Sequence, residues 1–392
     1  MTAPTQPPPR TPIVLAFALA LAAAVSLGLS RFSYALLLPP MRAQLHWSYF
    51  TAGAMNTANA AGYLAGALLA RRWFARHDAL RVATAGGAAT AAILVAHAFA
   101  TSDAPLYALR TLAGVASAAT FVGGGLLATR LSARAPHPGL VVGLYYGGAG
   151  LGILGSTALV PPLPWREAWV ALGVVSLACA LATWGVTRAS RALVATGPDA
   201  PSAGRTRAAW APMAPLLAGY LMFGFGYIGY MTFIVTLLRD QGLSPGRVAA
   251  FFGLLGACTV ASSWLWAGLL QRHRGGRPLA QLNAILALAT LLPVLGTQPV
   301  MVGLSCVLFG SCFLSVVAST TAFVRHNLAP PAWAAGIGAF TIVFALGQIL
   351  GPSLSGLLAD GPGGLRRGFV FSAIVLALGA LLGARQRPLA PR

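Results

Sequence analysis

Two arginines carry the strongest chemical signal in this chain. Arg31 stands in GLSRFSYALLLPP and Arg110 in LYALRTLAGVASA, each within a long apolar stretch. A guanidinium keeps its charge at any pH a protein meets, and its planar fork of donors matches a carboxylate or phosphate in two-point contact. A charge inside a membrane span costs on the order of 3 kcal/mol on insertion scales, so it must line a polar cavity or hold a partner. The six acids are Asp78, Asp103, Glu167, Asp199, Asp240 and Asp360, and none falls deep in an apolar stretch. Both arginines are therefore expected to be unpaired, in a positive site that suits an anion. The competing reading makes them structural pins that bond backbone carbonyls or snorkel outward.

The elements that position them are membrane helices. Of 392 residues, 57% are hydrophobic and 8% charged, against about 25% charged in an average soluble domain. Apolar runs long enough to cross the ~30 Å hydrocarbon layer recur throughout. Twelve spans are predicted, near 13–38, 50–70, 79–100, 105–129, 139–161, 166–187, 210–238, 247–270, 279–298, 299–324, 333–358 and 366–384. Arg31 then lies about 10 Å below the outer end of span one, and Arg110 about 8 Å below that of span four.

The net charge of +20 comes from 26 basic residues, all arginine. With the N-terminus inside, eighteen of them fall in cytoplasmic segments and six on the outer side, the positive-inside bias. Both termini are then cytoplasmic. No basic face with interleaved aromatics lies outside these short loops, which argues against nucleic acid. The first span is too long for a secretory signal, and it lacks a convincing small-residue cleavage site. Cys179, Cys258, Cys306 and Cys312 fall within spans and form no metal-like pair; no metal, cofactor or catalytic residue is expected.

The chain repeats itself. GLSRFSYAL at 28 aligns with GFGYIGYMT at 224, pairing Gly28 with Gly224 and Tyr34 with Tyr230. WREAWVALG at 165 falls on LRRGFVFSA at 365, and Gly148 and Gly152 fall on Gly347 and Gly351. Similar shifts in the same order indicate a duplication of six spans. The halves are 13–187 and 210–384, joined by a cytoplasmic linker at 188–209. A disordered cytoplasmic tail is expected at 1–12 and a cytoplasmic tail at 385–392.

Two parallel six-helix halves resemble the major facilitator superfamily of secondary transporters. Leu106, Arg110 and Gly114 look like the superfamily's fourth-helix motif, and GQILGPSLSG (347–356) is similar to its Gly-Pro motif. SRFSYALLLPPM and GYLMFGFGYIGYMTF resemble the uncharacterised bacterial YbfB/YjiJ-type branch. The resemblance implies an all-α membrane protein of twelve helices around a central cavity, with helices one, four, seven and ten lining it. It implies alternating access, with a small molecule as cargo and the bilayer as surroundings. One departure stands out. The usual acid of the loop between helices two and three is replaced by Ala70 beside Arg71, and in the second half by Gln271 beside Arg272. A charge-pair latch there is in doubt, although both arginines can still bond helix-end carbonyls in a gating role.

The candidate substrate site is accordingly Arg31, Tyr34, Arg110, Tyr227, Tyr230 and Thr232. In the repeat, Tyr227 takes the place of Arg31. Tyr227 and Tyr230 share a helical face, with Tyr220 two turns earlier, although packing between helices is an equal reading for these rings. Gly148, Gly152, Gly347, Gly351 and Pro352 suit close helix approach and bending where the halves rock. Protons or a counter-anion are the candidate coupled species. His97 reads as a packed imidazole before a relay, and Glu167, Asp240 and Asp360 are possible sites at the outer mouth. A monomer is expected. The main function is a secondary transporter leaning towards an organic anion, and the alternative is an exporter of hydrophobic drug-like compounds. A membrane-embedded enzyme would need a cluster of His, Asp, Glu or Cys at one depth. A non-transporting sensor would normally carry a soluble domain.

Overall fold

Runs of apolar residues with few charges have one solution in lipid, the helix, because it satisfies its own backbone. The computed structural model describes residues 11–194, 210–329 and 332–389, and these contain helices and no strand. The long helices are α1 (Pro12–Leu45), α2 (Tyr49–Arg76), α3 (Ala79–His97), α4 (Asp103–Ser132), α5 (Pro138–Leu159) and α6 (Trp165–Ala189). The second set is α7 (Ala214–Asp240), α8 (Pro245–Arg272), α9 (Arg277–Leu295), α10 (Pro299–Asn327), α11 (Trp333–Ala359) and α12 (Leu365–Ala384). Eleven are long and apolar enough to cross a membrane. The exception, α2, carries Asn56 and Asn59, both buried. Residues 195–209 of the expected linker, 1–10 of the first tail and 390–392 of the second lie outside the described residues. The rest of the second tail packs on the bundle, where Gln386 Nε2 donates to the Pro212 carbonyl at 3.0 Å and Leu389 N to Asn327 Oδ1 at 2.8 Å.

The duplication reappears in the packing. In the first half, α1 lies on α5: a Cβ on Gly152 would stand 2.5 Å from the Ala24 carbonyl oxygen and 2.7 Å from Gly28 Cα. In the second half, α7 lies on α11, with Gly351 set as closely against the Phe225 carbonyl. Both glycine pairs therefore pack helices inside a half, not at the surface where halves would rock. That surface is formed by α2 against α11, where Gly53 meets the Pro352 carbonyl, and by α5 against α8, where Gly150 meets Gly256.

Helix α1 differs from the others in two ways. Its segment Ala24–Phe32 is π-helical, and Ser33 N donates to the Gly28 carbonyl at 3.0 Å. Widened turns of this kind are frequent at functional sites. The helix also continues through Pro39 and Pro40 to Leu45. These prolines leave the Ala35 and Leu36 carbonyls without ladder donors, but this end of α1 packs along α7 and stays helical. The span does not stop at Leu38, and Arg31 sits about 20 Å from its end, not about 10 Å. The Arg31 side chain is buried among the neighbouring helices, 4% exposed.

Cross-half hydrogen bonds gather at the end of the bundle remote from the termini, the distal end. Ser48 caps α2 by accepting from Thr51 N. The next amides reach across: Tyr49 N and Phe50 N donate to the Asp360 carboxylate at 2.7 and 2.9 Å, and Tyr49 Oη donates to Asp240 at 2.8 Å. Deeper, Thr57 Oγ1 donates to the Ile349 carbonyl at 2.6 Å, and Asn56 Nδ2 donates to Thr232 Oγ1 at 2.7 Å. Toward the terminal end, among the described residues, one such bond remains, from Ser263 Oγ to the Gly143 carbonyl at 3.2 Å. The seal is distal.

Candidate functional site

The structure separates the two arginines. Arg110 is 1% exposed and fully engaged. Its Nη1 donates to the Ser30 carbonyl at 3.1 Å, its Nη2 to Asn56 Oδ1 at 3.1 Å, and its Nε to the Met55 carbonyl at 3.4 Å. The guanidinium also lies 4.5 Å above the Tyr34 ring. Gly114, one turn along α4, lets the Asn59 carbonyl of α2 sit against the helix. The fourth-helix motif thus joins α4 to α2 and α1, and the expectation that Arg110 is unpaired is corrected. The acceptors are carbonyls and an amide from other helices, which no nearby acid in the sequence could signal.

Arg31 is the opposite case. It is 4% exposed, and neither Nε nor Nη2, both without solvent access, has a hydrogen-bond partner. Its guanidinium lies 5.9 Å from the Tyr63 ring centroid and within electrostatic reach of Tyr227. An unpaired donor buried in this way costs several kcal/mol. Among the described residues no carboxylate approaches it, since the one ion pair is Arg191 with Asp78, 3.5 Å apart.

Around Arg31 stand residues from both halves. Tyr227 accepts from Gln348 Nε2 and stacks on Phe223 at 4.6 Å and on Phe344 at 5.6 Å. Tyr63 lies within electrostatic reach of Tyr227 and Tyr146, and Tyr220 of all three. Tyr146 is 43% exposed. Tyr146 of α5 and Tyr220 of α7 belong to different halves. Tyr63, Tyr146, Phe344 and Gln348 were not anticipated from the sequence. Lipid and an apolar vestibule select the same aromatic residues, so composition does not tell the two faces apart.

The other candidates lie elsewhere. Tyr34 Oη donates to the Ala52 carbonyl at 2.9 Å, beneath Arg110. Tyr230 is fully buried, stacked on Phe309 at 3.8 Å and bonded to Ser305 Oγ at 2.8 Å. Thr232 joins the distal seal through Asn56. His97 stacks on Trp169 at 4.4 Å, with Nδ1 2.8 Å from the Ile93 carbonyl. Asp240 and Asp360 belong to the seal, while Glu167 is exposed. Arg272 is exposed at the end of α8, beyond a break at Trp266, and the Arg71 side chain lies outside the described residues. Among the described residues no group of His, Cys, Asp or Glu could hold a metal ion.

Comparison with known proteins bears on the whole chain. A family model described as "Uncharacterised MFS-type transporter YbfB" matches residues 23–384. No curated protein sequence matches. Among solved structures, the chain is similar to a bacterial homologue of the human lysosomal transporter Spinster in an inward-facing, unoccupied conformation (16% identity, TM-score 0.72, covering 96% of this chain and 97% of that one). It is also similar to the nucleoside transporter NupG (17% identity, TM-score 0.69, 96% and 100% covered). A third is the human organic anion transporter MFSD10 (16% identity, TM-score 0.65, 96% and 100% covered). At these identities the likeness is one of fold.

Proposed function

The chain belongs to the YbfB-type family of major facilitator transporters, and we propose that it carries a small organic anion bound at Arg31. One observation supports this reading above the others: a permanently charged group, deep in the bundle, whose Nε and Nη2 have no partner. An arriving carboxylate would satisfy those donors and neutralise the charge together. The proposed site is Arg31 with Tyr63, Tyr227 and Gln348, while Arg110 and Tyr34 position the backbone beside it.

The arginine distribution supports placing both termini in the cytoplasm of a bacterial inner membrane. A distal seal with the site on its terminal side then corresponds to an inward-facing state. In alternating access, the bonds from Tyr49 and Phe50 of α2 to Asp240 at the end of α7 and Asp360 at the end of α11 would break while α5 and α8 stay in contact. Protons or a counter-anion remain the candidate coupled species, in a monomer. The test is counterflow in proteoliposomes with labelled organic anions, neutral drugs and organic cations. Accumulation of anions that disappears in Arg31→Ala is expected. Equal transport of neutral and cationic compounds by both proteins would overturn the reading in favour of drug export.

A further inference from the structure

The anion reading leaves the body of the substrate open, and the surroundings of Arg31 narrow it. We infer that the cargo is a monoanion with a planar apolar body, its carboxylate at Arg31 and its body directed toward the terminal end. This inference rests on the anion reading above.

The charge follows from counting free donors. Arg110 spends its donors on Ser30, Met55 and Asn56, so of the two buried arginines at this site, among the described residues, Arg31 is the one with donors to spare. Arg110 keeps its charge near Arg31, but the second carboxylate of a dianion would find no arginine donor free and would lie buried without its hydrogen bonds, which is costly. Phosphate-like cargo would want a second arginine fork, and that of Arg110 is already spent.

The shape of the body follows from the rings and their depth. Tyr146 and Tyr220 lie six to eight residues from the terminal ends of their helices, roughly 10 Å in. Tyr63 and Arg31 lie deeper, so aromatic surface runs from the terminal mouth up to the guanidinium. On the second-half side, Tyr220 and Phe223 stack on Phe344 with interplanar angles of 18° and 10°. Such a row forms a flat wall. On the opposite side, Tyr63 and Tyr146 approach Phe121 at 6.4 and 5.9 Å. Tyr146 and Phe344 keep accessible surface, which a planar apolar body would cover. A small hydrophilic acid would leave that surface wet and gain nothing from it.

The test uses four probes on the purified full chain: phenylacetate, its uncharged amide phenylacetamide, acetate, and the dianion phenylmalonate. Phenylacetate is expected to bind at least about tenfold more tightly than each of the other three. Phe344→Ala and Tyr146→Ala should each weaken phenylacetate about 2- to 10-fold and leave acetate unchanged. If acetate or phenylmalonate binds as tightly as phenylacetate, this inference fails and the anion reading stands. If the acid and its amide bind equally, the anion reading itself fails. Absence of phenylacetate binding at millimolar concentration also overturns the inference.

Discussion

Arg110 donates to the carbonyl of Ser30 at 3.1 Å, so the arginine of α4 fastens the peptide that precedes Arg31. Two residues of one type, each in an apolar stretch, thus do different work. Arg110 ties α1, α2 and α4 together through three acceptors. Arg31, on the π-helical segment that Arg110 steadies, has no bond of its own.

Removing Arg110 should unfold the protein more readily. Arg110→Ala would leave the Ser30 and Met55 carbonyls and Asn56 Oδ1 without their donor. Each lost charge-assisted bond is worth about 1.5–3 kcal/mol before relaxation. Arg110→Lys keeps the charge but not the fork, and should fall between Arg110→Ala and the native protein. The melting temperature of detergent-purified protein is the readout, and an unchanged value for Arg110→Ala would contradict the pinning role.

The packing of α1 on α5 should tolerate no side chain at Gly152. Gly152→Val would drive its branches into the Ala24 carbonyl and Gly28 Cα. Overpacking of a close helix contact typically costs about 1–3 kcal/mol, and here backbone atoms must move. Low expression or a lowered melting temperature is expected. A variant as stable as the native protein would mean that α1 can shift freely.

Sealing of the distal end should depend on Asp360. Its carboxylate accepts from the Tyr49 and Phe50 amides at the start of α2, where a negative charge is stabilising by about 0.3–1 kcal/mol or more. Asp360→Asn removes the charge and one acceptor. A single cysteine replacing Thr57, which makes one of the deeper bonds of the seal, should react faster with a bulky thiol reagent added outside in Asp360→Asn than in the same cysteine protein with Asp360 intact. An unchanged rate would show that the seal is held elsewhere.

Orientation is testable at two arginines. A cysteine at Arg272 should be protected from an impermeant thiol reagent in intact cells, and one at Arg366 should react. The reverse pattern would invert the topology derived from the positive-inside bias.

Much of this architecture could be read from the residues, because lipid imposes one simple rule. Twelve apolar runs became twelve helices, and the match of Gly148 and Gly152 to Gly347 and Gly351 reappeared as two equivalent helix contacts. Arg31 stood out because a charge in oil is costly wherever it lies. What escaped was non-local. Nothing in the residues around Arg110 announces acceptors on α1 and α2. The span drawn to residue 38 stops short of a helix that runs through Pro39 and Pro40 to Leu45, where it packs against α7. Asn56 was overlooked, although a buried amide in a span is itself a costly feature; it bridges Arg110 to Thr232.

The central claim is that Arg31 binds substrate while Arg110 supports structure, and a paired measurement tests it. Affinity for phenylacetate, or for any organic anion found by counterflow, is measured with the melting temperature on native, Arg31→Ala and Arg110→Ala proteins. Arg31→Ala should lose about 10- to 150-fold in affinity. It should melt no lower than the native protein, because it loses no hydrogen bond and sheds a costly buried charge. Arg110→Ala should melt lower. An Arg31→Ala protein that melts lower yet binds the anion with native affinity would contradict the account.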